Sequence, residues 1–180
     1  LGTLVSTMGS AGQTVYLYGE GLGTDVTVEF GGVEATVNAG SENHVEVVVP
    51  NAAPGEVSVT ASRNGQSSND LVFTLLSGAQ TQVVFHVNAE TAPGENVHVV
   101  GNVPELGAWD PSEAPEAMHN PNYPEWFLPV AVPTDTQLEF KFVKMADDGT
   151  VTWESGSNRT FTSPPQRSGV GSTPTYDWRS

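Results

Sequence analysis

The residues most suited to recognition chemistry are two tryptophans, Trp109 and Trp153, which lie where the chain turns. Trp109 sits in a loop flanked by glycine and proline, next to Asp110-Pro111, and Trp153 lies at a strand end, before Glu154-Ser155-Gly156. An indole face open to water complements the weakly hydrophobic C–H face of a sugar ring and loses little rotamer entropy on binding. Position alone leaves a second interpretation open, in which both rings are core residues. Trp126 and Trp178, in or at the end of alternating strands, are predicted to be core.

Side chains for catalysis or metal binding do not come together in the sequence. Hydrolysis of a glycosidic bond needs two carboxylates at a fixed separation, and Glu154 has no second acid that belongs with it. The stretch Asp147-Asp148-Gly149 has too few ligands in register for calcium and predicts a hairpin turn. The histidines lack metal-ligand spacing; they are His44, His86, His98 and His119. We therefore predict no catalytic residue, no metal site and no cofactor.

The charge of the chain restricts its partners. The 180 residues include 21 acidic and six basic side chains, which gives a formal net charge of −15. Nucleic acid and acidic membrane surfaces are excluded as partners, because the chain has no cationic patch to replace their counterions. No run of apolar residues is long enough to span a bilayer, and the absence of cysteine excludes disulfides. A neutral polymer is compatible with this charge.

Alternation of apolar and polar residues with a period of two predicts an all-β fold. The Asn64-Gly65 pair between two such runs predicts a hairpin, because both residues tolerate positive φ. Strands of the first half are predicted at Val15–Leu17, Val26–Phe30, Val45–Val49, Val57–Val59 and Leu71–Phe73. Strands of the second half are predicted at Thr81–Asn88, Asn96–Gly101, Trp126–Val132, Gln137–Met145, Val151–Trp153, Arg159–Thr162 and Thr175–Trp178. We expect two antiparallel β-sandwiches in tandem, residues 1–78 and residues 79–180, joined near Ser77-Gly78-Ala79.

The first half resembles an immunoglobulin-like domain of the IPT/TIG type. Its matching stretches are Met8–Gly12, Gly19–Gly23, Val28–Gly32 and Val49-Pro50. The glycines of Gly19–Gly23 fit tight turns between strands. A dinucleotide-binding loop is excluded, because no helix follows and the third glycine is misplaced.

The second half resembles a family-20 carbohydrate-binding module, the starch-binding β-sandwich. Its matching stretches are Gly101–Asp110, Glu139–Lys144 and Thr152–Arg159. The order of the two domains resembles the C-terminal part of a cyclodextrin glucanotransferase or a maltogenic α-amylase. Nothing in the chain resembles the catalytic barrel of those enzymes, and the chain beginning at Leu1 looks like part of a longer protein.

The resemblance implies two carbohydrate sites. The first comprises Trp109, Lys141, Trp153, Glu154 and Asn158, in which the indoles stack on sugar and Lys141 and Asn158 donate hydrogen bonds to hydroxyls. The second comprises Thr91, Ala92, Gly94, Asn96, Asn120 and Tyr123. The loop between Asn120 and Tyr123 is about three residues shorter than in the family, and Pro121 replaces a polar residue there, so a weaker or narrower second site is expected.

The function implied by the resemblance is non-catalytic binding of starch, maltooligosaccharides and cyclodextrins. The chain would be extracellular and would not associate with copies of itself. It would be joined covalently to a glycoside hydrolase family 13 enzyme, which it would hold at raw starch. Two other interpretations stay open. One is a protein-interaction or adhesion module, a common use of immunoglobulin-like domains, and the other is a catalytic fragment.

Overall fold

The computed structural model describes residues 1–166 and 170–180 and confirms the predicted all-β class. The chain divides into two compact units, Leu1–Ala79 and Gln80–Ser180. No helix within these described residues is long and apolar enough to cross a membrane. The same residues hold no cluster of three or more histidine and acidic side chains that could bind a metal ion.

The first unit is built from two sheets. Its strands are β1 Thr3–Leu4, β2 Met8–Gly9, β3 Thr14–Tyr18, β4 Thr27–Phe30, β5 Val33–Glu34, β6 Thr36–Gly40, β7 His44–Val48, β8 Gly55–Arg63, β9 Gln66–Ser67 and β10 Leu71–Leu75. One sheet has the order β1-β3-β7-β6, and the other has the order β2-β10-β8-β4-β5 with β9 paired to β8. The side chains between them form one core, in which Phe30 and Phe73 meet edge to face at 5.1 Å.

The second unit is also a two-sheet sandwich. Its strands are β11 Gln80–Asn88, β12 Glu95–Gly101, β13 His119–Asn122, β14 Glu125–Pro133, β15 Gln137–Ala146, β16 Val151–Trp153, β17 Arg159–Thr162 and β18 Gly171–Asp177. One sheet has the order β13-β14-β11-β18, and the other has the order β12-β15-β16 with β17 also paired to β15. Two short 3-10 segments follow β12, Pro104–Trp109 and Pro111–Glu113, and the first is interrupted by a kink at Leu106–Ala108, whose backbone is not helical.

The sheets are mainly antiparallel, as expected, and each sandwich also contains a parallel pair of strands. Strand β10 runs parallel to β2, and β11 runs parallel to β18. Each parallel partner comes from far along the chain, so it closes the edge of a sheet where a tight hairpin cannot.

The predicted turns are confirmed. Asn64 and Gly65 take φ values of 54° and 77° and join β8 to β9 as a two-residue hairpin. The Asp147–Gly149 turn joins β15 to β16, and Gly149 has a φ of 86°.

Trp126 and Trp178 differ in their burial. Trp126 is 2% exposed within the core, and its Nε1 donates a hydrogen bond to the Ala89 carbonyl at 2.9 Å, as the core prediction requires. Trp178 only packs against the core from its edge and is half-buried, with Lys144 Nζ 4.2 Å from the ring centroid. The core prediction for Trp178 is therefore only partly right.

Candidate functional site

The outer face of the β12-β15-β16 sheet presents Trp153 to water. Alternation along β15 directs Phe140 and Phe142 into the core and Lys141 and Val143 to the opposite face. Trp153 pairs directly with Val143 and lies on the same outer face, where it is 39% exposed. The ring is thus held by a strand hydrogen-bonded to β15, with area open for a ligand.

Trp109 is held by an unusual local backbone. Gly107, Ala108 and Trp109 have successive φ values of 77°, 47° and 70°, a left-handed run that leaves Trp109 half-buried in the loop after β12. Asp110 fixes the next turn by accepting hydrogen bonds from Ser112 N at 2.9 Å and Ser112 Oγ at 2.7 Å. These bonds lower the pKa of Asp110.

The same loop region crosses the outer face of β12. His98 is on that face, and its Nδ1 donates to the Pro115 carbonyl at 3.0 Å. Val100, two residues further along and opposite Lys141, is fully buried although it faces away from the sandwich core. The loop with Trp109 is therefore attached to the same face of the sheet as Trp153.

The two predicted polar donors are already engaged by protein atoms. Lys141 Nζ donates to the carbonyls of Glu154, at 3.1 Å, and Gly156, at 2.7 Å. An ammonium group has three N–H bonds, so one remains for a ligand. Asn158 is exposed, and its Nδ2 donates to Glu139 Oε2 at 3.1 Å. Its side-chain oxygen accepts no hydrogen bond from residues 1–166 and 170–180.

The side chain of Glu154 is not a surface group, so the expectation that it contacts a ligand is wrong for its carboxylate. Glu154 is 1% exposed. Its oxygens accept from Arg159 Nε at 2.9 Å and 3.2 Å, from Arg159 Nη2 at 2.6 Å and from the Phe142 amide at 3.0 Å. Alternation explains the outcome, because Trp153 points outward and the next residue must then point inward. Arg159, the buried partner, was not predicted, although a buried carboxylate requires a cation or several donors.

Tyr123 is the platform of the second predicted group and is 53% exposed. Its hydroxyl accepts a hydrogen bond from Thr91 N at 3.0 Å and lies 3.5 Å from Thr91 O, to which it donates. Ala92 and Gly94 belong to the same loop between β11 and β12, in which Ala92 N donates to Glu95 Oε2 at 2.8 Å. The Tyr123 side chain is therefore hydrogen-bonded directly to this loop.

The two remaining residues of that group lie on strands of different sheets. Asn96 is exposed in β12, and Asn120 is exposed in β13. Within the described parts of the chain, no hydrogen bond links either amide to Tyr123 or Thr91. Trp153 is in the β12-β15-β16 sheet, which also contains Asn96, whereas Tyr123 lies between β13 and β14 of the other sheet.

Comparison with known proteins adds independent information. The family model for the starch binding domain matches residues 80–173, and the model for the IPT/TIG domain matches residues 3–75. A cyclomaltodextrin glucanotransferase of Geobacillus stearothermophilus is 44% identical over 169 residues, which are 90% of this chain and 24% of that protein. One from Paenibacillus macerans is 41% identical over 189 residues, 99% of this chain and 26% of that protein.

Solved structures give the same picture. The γ-cyclodextrin glucanotransferase from alkalophilic Bacillus clarkii is 37% identical, with a TM-score of 0.53. The match covers 97% of this chain and 26% of the glucanotransferase chain. A glycoside hydrolase family 15 glucoamylase from Hypocrea jecorina is 32% identical, with a TM-score of 0.53. The match covers 57% of this chain and 18% of the glucoamylase chain. The chain spans about a quarter of the length of the curated relatives. Because the first family model covers more than half of the chain, this protein belongs to the starch-binding domain family, as a non-catalytic accessory region in which an IPT/TIG domain precedes the starch-binding domain.

Proposed function

We propose that this chain binds α-1,4-glucans, including starch, maltooligosaccharides and cyclodextrins, and holds an attached glycoside hydrolase family 13 enzyme at raw starch outside the cell. The observation that supports this most is the exposed indole of Trp153 on the outer face of the β12-β15-β16 sheet. Beside it on that face are Lys141 and Asn158, which offer polar atoms for sugar hydroxyls.

The expected affinity follows from the shallow geometry. Stacking of a nucleic-acid base on one aromatic side chain is worth about 1–3 kcal/mol, and we take this as the analogue for a sugar face. Only a few polar groups surround each ring. Affinities from about micromolar to millimolar are therefore expected. Such weak sites become effective when the ligand is a long polymer, because one bound segment raises the local concentration of the next.

Two platforms on different sheets suit a polymer with many repeats. Trp153 belongs to the β12-β15-β16 sheet, whereas Tyr123 lies between β13 and β14 of the other sheet. The two groups can then bind separate segments of one glucan or of neighbouring chains in a granule. The charge of −15 does not oppose either contact, since the polysaccharide is neutral.

Titration calorimetry with β-cyclodextrin tests the assignment of the sites. We expect the unaltered chain to bind two ligands, and Trp109→Ala or Trp153→Ala to weaken the first site at least tenfold while the Tyr123 site remains. Tyr18→Ala is the matched control, because Tyr18 is also an aromatic residue on a strand, 42% exposed, but it lies in the first unit. Unchanged titration curves for both tryptophan variants would remove the first site.

Sedimentation with granular starch separates this proposal from the other interpretations. A glucan-binding region is expected in the pellet, and it should return to the supernatant when soluble maltooligosaccharide competes. A protein-interaction module would stay in the supernatant from the start. Release of reducing sugar by the isolated chain would instead indicate a catalytic fragment.

A further inference from the structure

The loop of residues 154–158, which connects Trp153 to Arg159, is held by an unusual concentration of positive charge. The whole sequence contains six lysines and arginines. Three of them, Lys141, Arg159 and Arg179, donate hydrogen bonds to atoms of this five-residue loop. Three of the five basic side chains within residues 1–166 and 170–180 therefore support one loop, in a chain with a net charge of −15.

The three cations approach the loop from different elements. Lys141 in β15 donates to two of its carbonyls, those of Glu154 and Gly156. Arg159, at the start of β17, binds the Glu154 carboxylate and also donates to the Asp177 carbonyl at 2.7 Å, which ties the loop to β18. These side chains thus link the loop to three strands, β15, β17 and β18.

Arg179 closes the remaining side of the loop. Its Nη1 donates to the Ser157 carbonyl at 2.8 Å. Its own carbonyl accepts from Ser155 N at 2.9 Å, and Ser155 Oγ donates to the Ser180 carbonyl at 2.7 Å. Gly156 has a φ of 77° and lies directly against the arginine, since a Cβ there would be 3.5 Å from Arg179 Nη1. The segment after β18 therefore packs along the loop.

We propose that Arg179, together with Lys141 and Arg159, is a positioning residue that holds Trp153 and Asn158 ready for sugar. The inference rests on the proposed function, since it assigns these side chains to the Trp153 site. Trp153 and Asn158 lie at the two ends of the braced loop, and a loop fixed before binding does not have to be ordered by the ligand. Lys141 contributes mainly as part of this brace, because two of its three N–H bonds are used by the loop.

The test is Arg179→Ala in a Tyr123→Ala background, so that only the Trp153 site reports on β-cyclodextrin. We expect the dissociation constant to rise about three- to tenfold, the effect of losing one typical intramolecular hydrogen bond at a solvent-exposed position. Arg179→Lys should recover part of the affinity, because an ammonium can still donate to the Ser157 carbonyl. Lys144→Ala is the matched control: it removes the same charge and a contact with Trp178, and Lys144 makes no described bond to the loop within residues 1–166 and 170–180.

Amide hydrogen exchange without ligand gives a second readout that does not depend on sugar. Arg179→Ala should speed exchange in residues 154–158 and leave exchange in β11 unchanged, whereas Lys144→Ala should leave exchange unchanged in both regions. Normal binding by the parent chain together with unchanged affinity in Arg179→Ala would overturn the brace and spare the proposed function. If the chain that keeps Arg179 binds no glucan, the proposed function is overturned. If residues 154–158 also exchange at the same rate in the chains with and without Arg179→Ala, the brace is overturned as well.

Discussion

Replacement of Arg159 by methionine should destabilise the second unit strongly. Arg159 and Glu154 have side chains that are 3% and 0% exposed, and the guanidinium binds the carboxylate through both Nε and Nη2. The guanidinium carbon also lies 4.4 Å from the Tyr176 ring centroid. Methionine fills similar volume but leaves the carboxylate charged, buried and accepting only the amide of Phe142.

The expected size of the effect comes from that uncompensated charge. Removing one partner of a buried ion pair typically costs about 3–5 kcal/mol, since the remaining ion keeps its desolvation penalty. A domain of this size has a total stability of about 5–15 kcal/mol. For about 100 residues each kcal/mol lowers the melting temperature by about 4–8 °C, so Arg159→Met should lower it by about 12 °C or more.

Tryptophan fluorescence can follow this unfolding in the full chain. All four tryptophans, Trp109, Trp126, Trp153 and Trp178, lie in the unit Gln80–Ser180. A thermal or urea transition recorded by their emission therefore reports on that unit, while far-ultraviolet circular dichroism reports on both.

A double variant separates the buried charge from simple loss of packing. Glu154→Gln combined with Arg159→Met removes both charges and keeps a side-chain oxygen for the Phe142 amide, so it should be more stable than Arg159→Met alone. A single variant that loses less than about 1 kcal/mol, or a double variant less stable than the single one, would refute the reasoning.

Two further predictions concern the groups around the platforms. Tyr123→Phe keeps the ring but removes the hydrogen bonds between the hydroxyl and Thr91. In a Trp153→Ala background, we expect calorimetry to show that β-cyclodextrin affinity at the Tyr123 site falls about fivefold. Unchanged affinity would contradict a role for the hydroxyl. The hydrogen bonds from Ser112 lower the pKa of Asp110, so its support of the loop is complete above the ordinary aspartate pKa of about 3.9 and is lost as pH falls through the lower folded value. Binding at the tryptophan site should then be flat above about pH 5 and fall in acid, and an Asp110→Asn variant with the same acid profile would show that this carboxylate is not responsible.

The strands of the fold were largely predictable because their signal is local. Apolar alternation located β16 and β17 with their observed bounds and the other long strands to within a few residues. The two-residue strands were missed, and so were the longer strands β6 and β13. Short or exposed strands bury too few side chains on one face to produce alternation. The parallel partners of β10 and β11 lie beyond the reach of any local pattern.

The sequence alone determined that Trp153 ends a strand, that Lys141 faces away from the core, and that the chain resembles two known domain families. Tertiary structure decided which groups are available to a ligand. It buried the Glu154 carboxylate against Arg159 and used most of the donors of Lys141 within the protein. Strand period is set by backbone geometry over a few residues, whereas hydrogen-bond partners depend on the register of strands that meet only in the folded sheet.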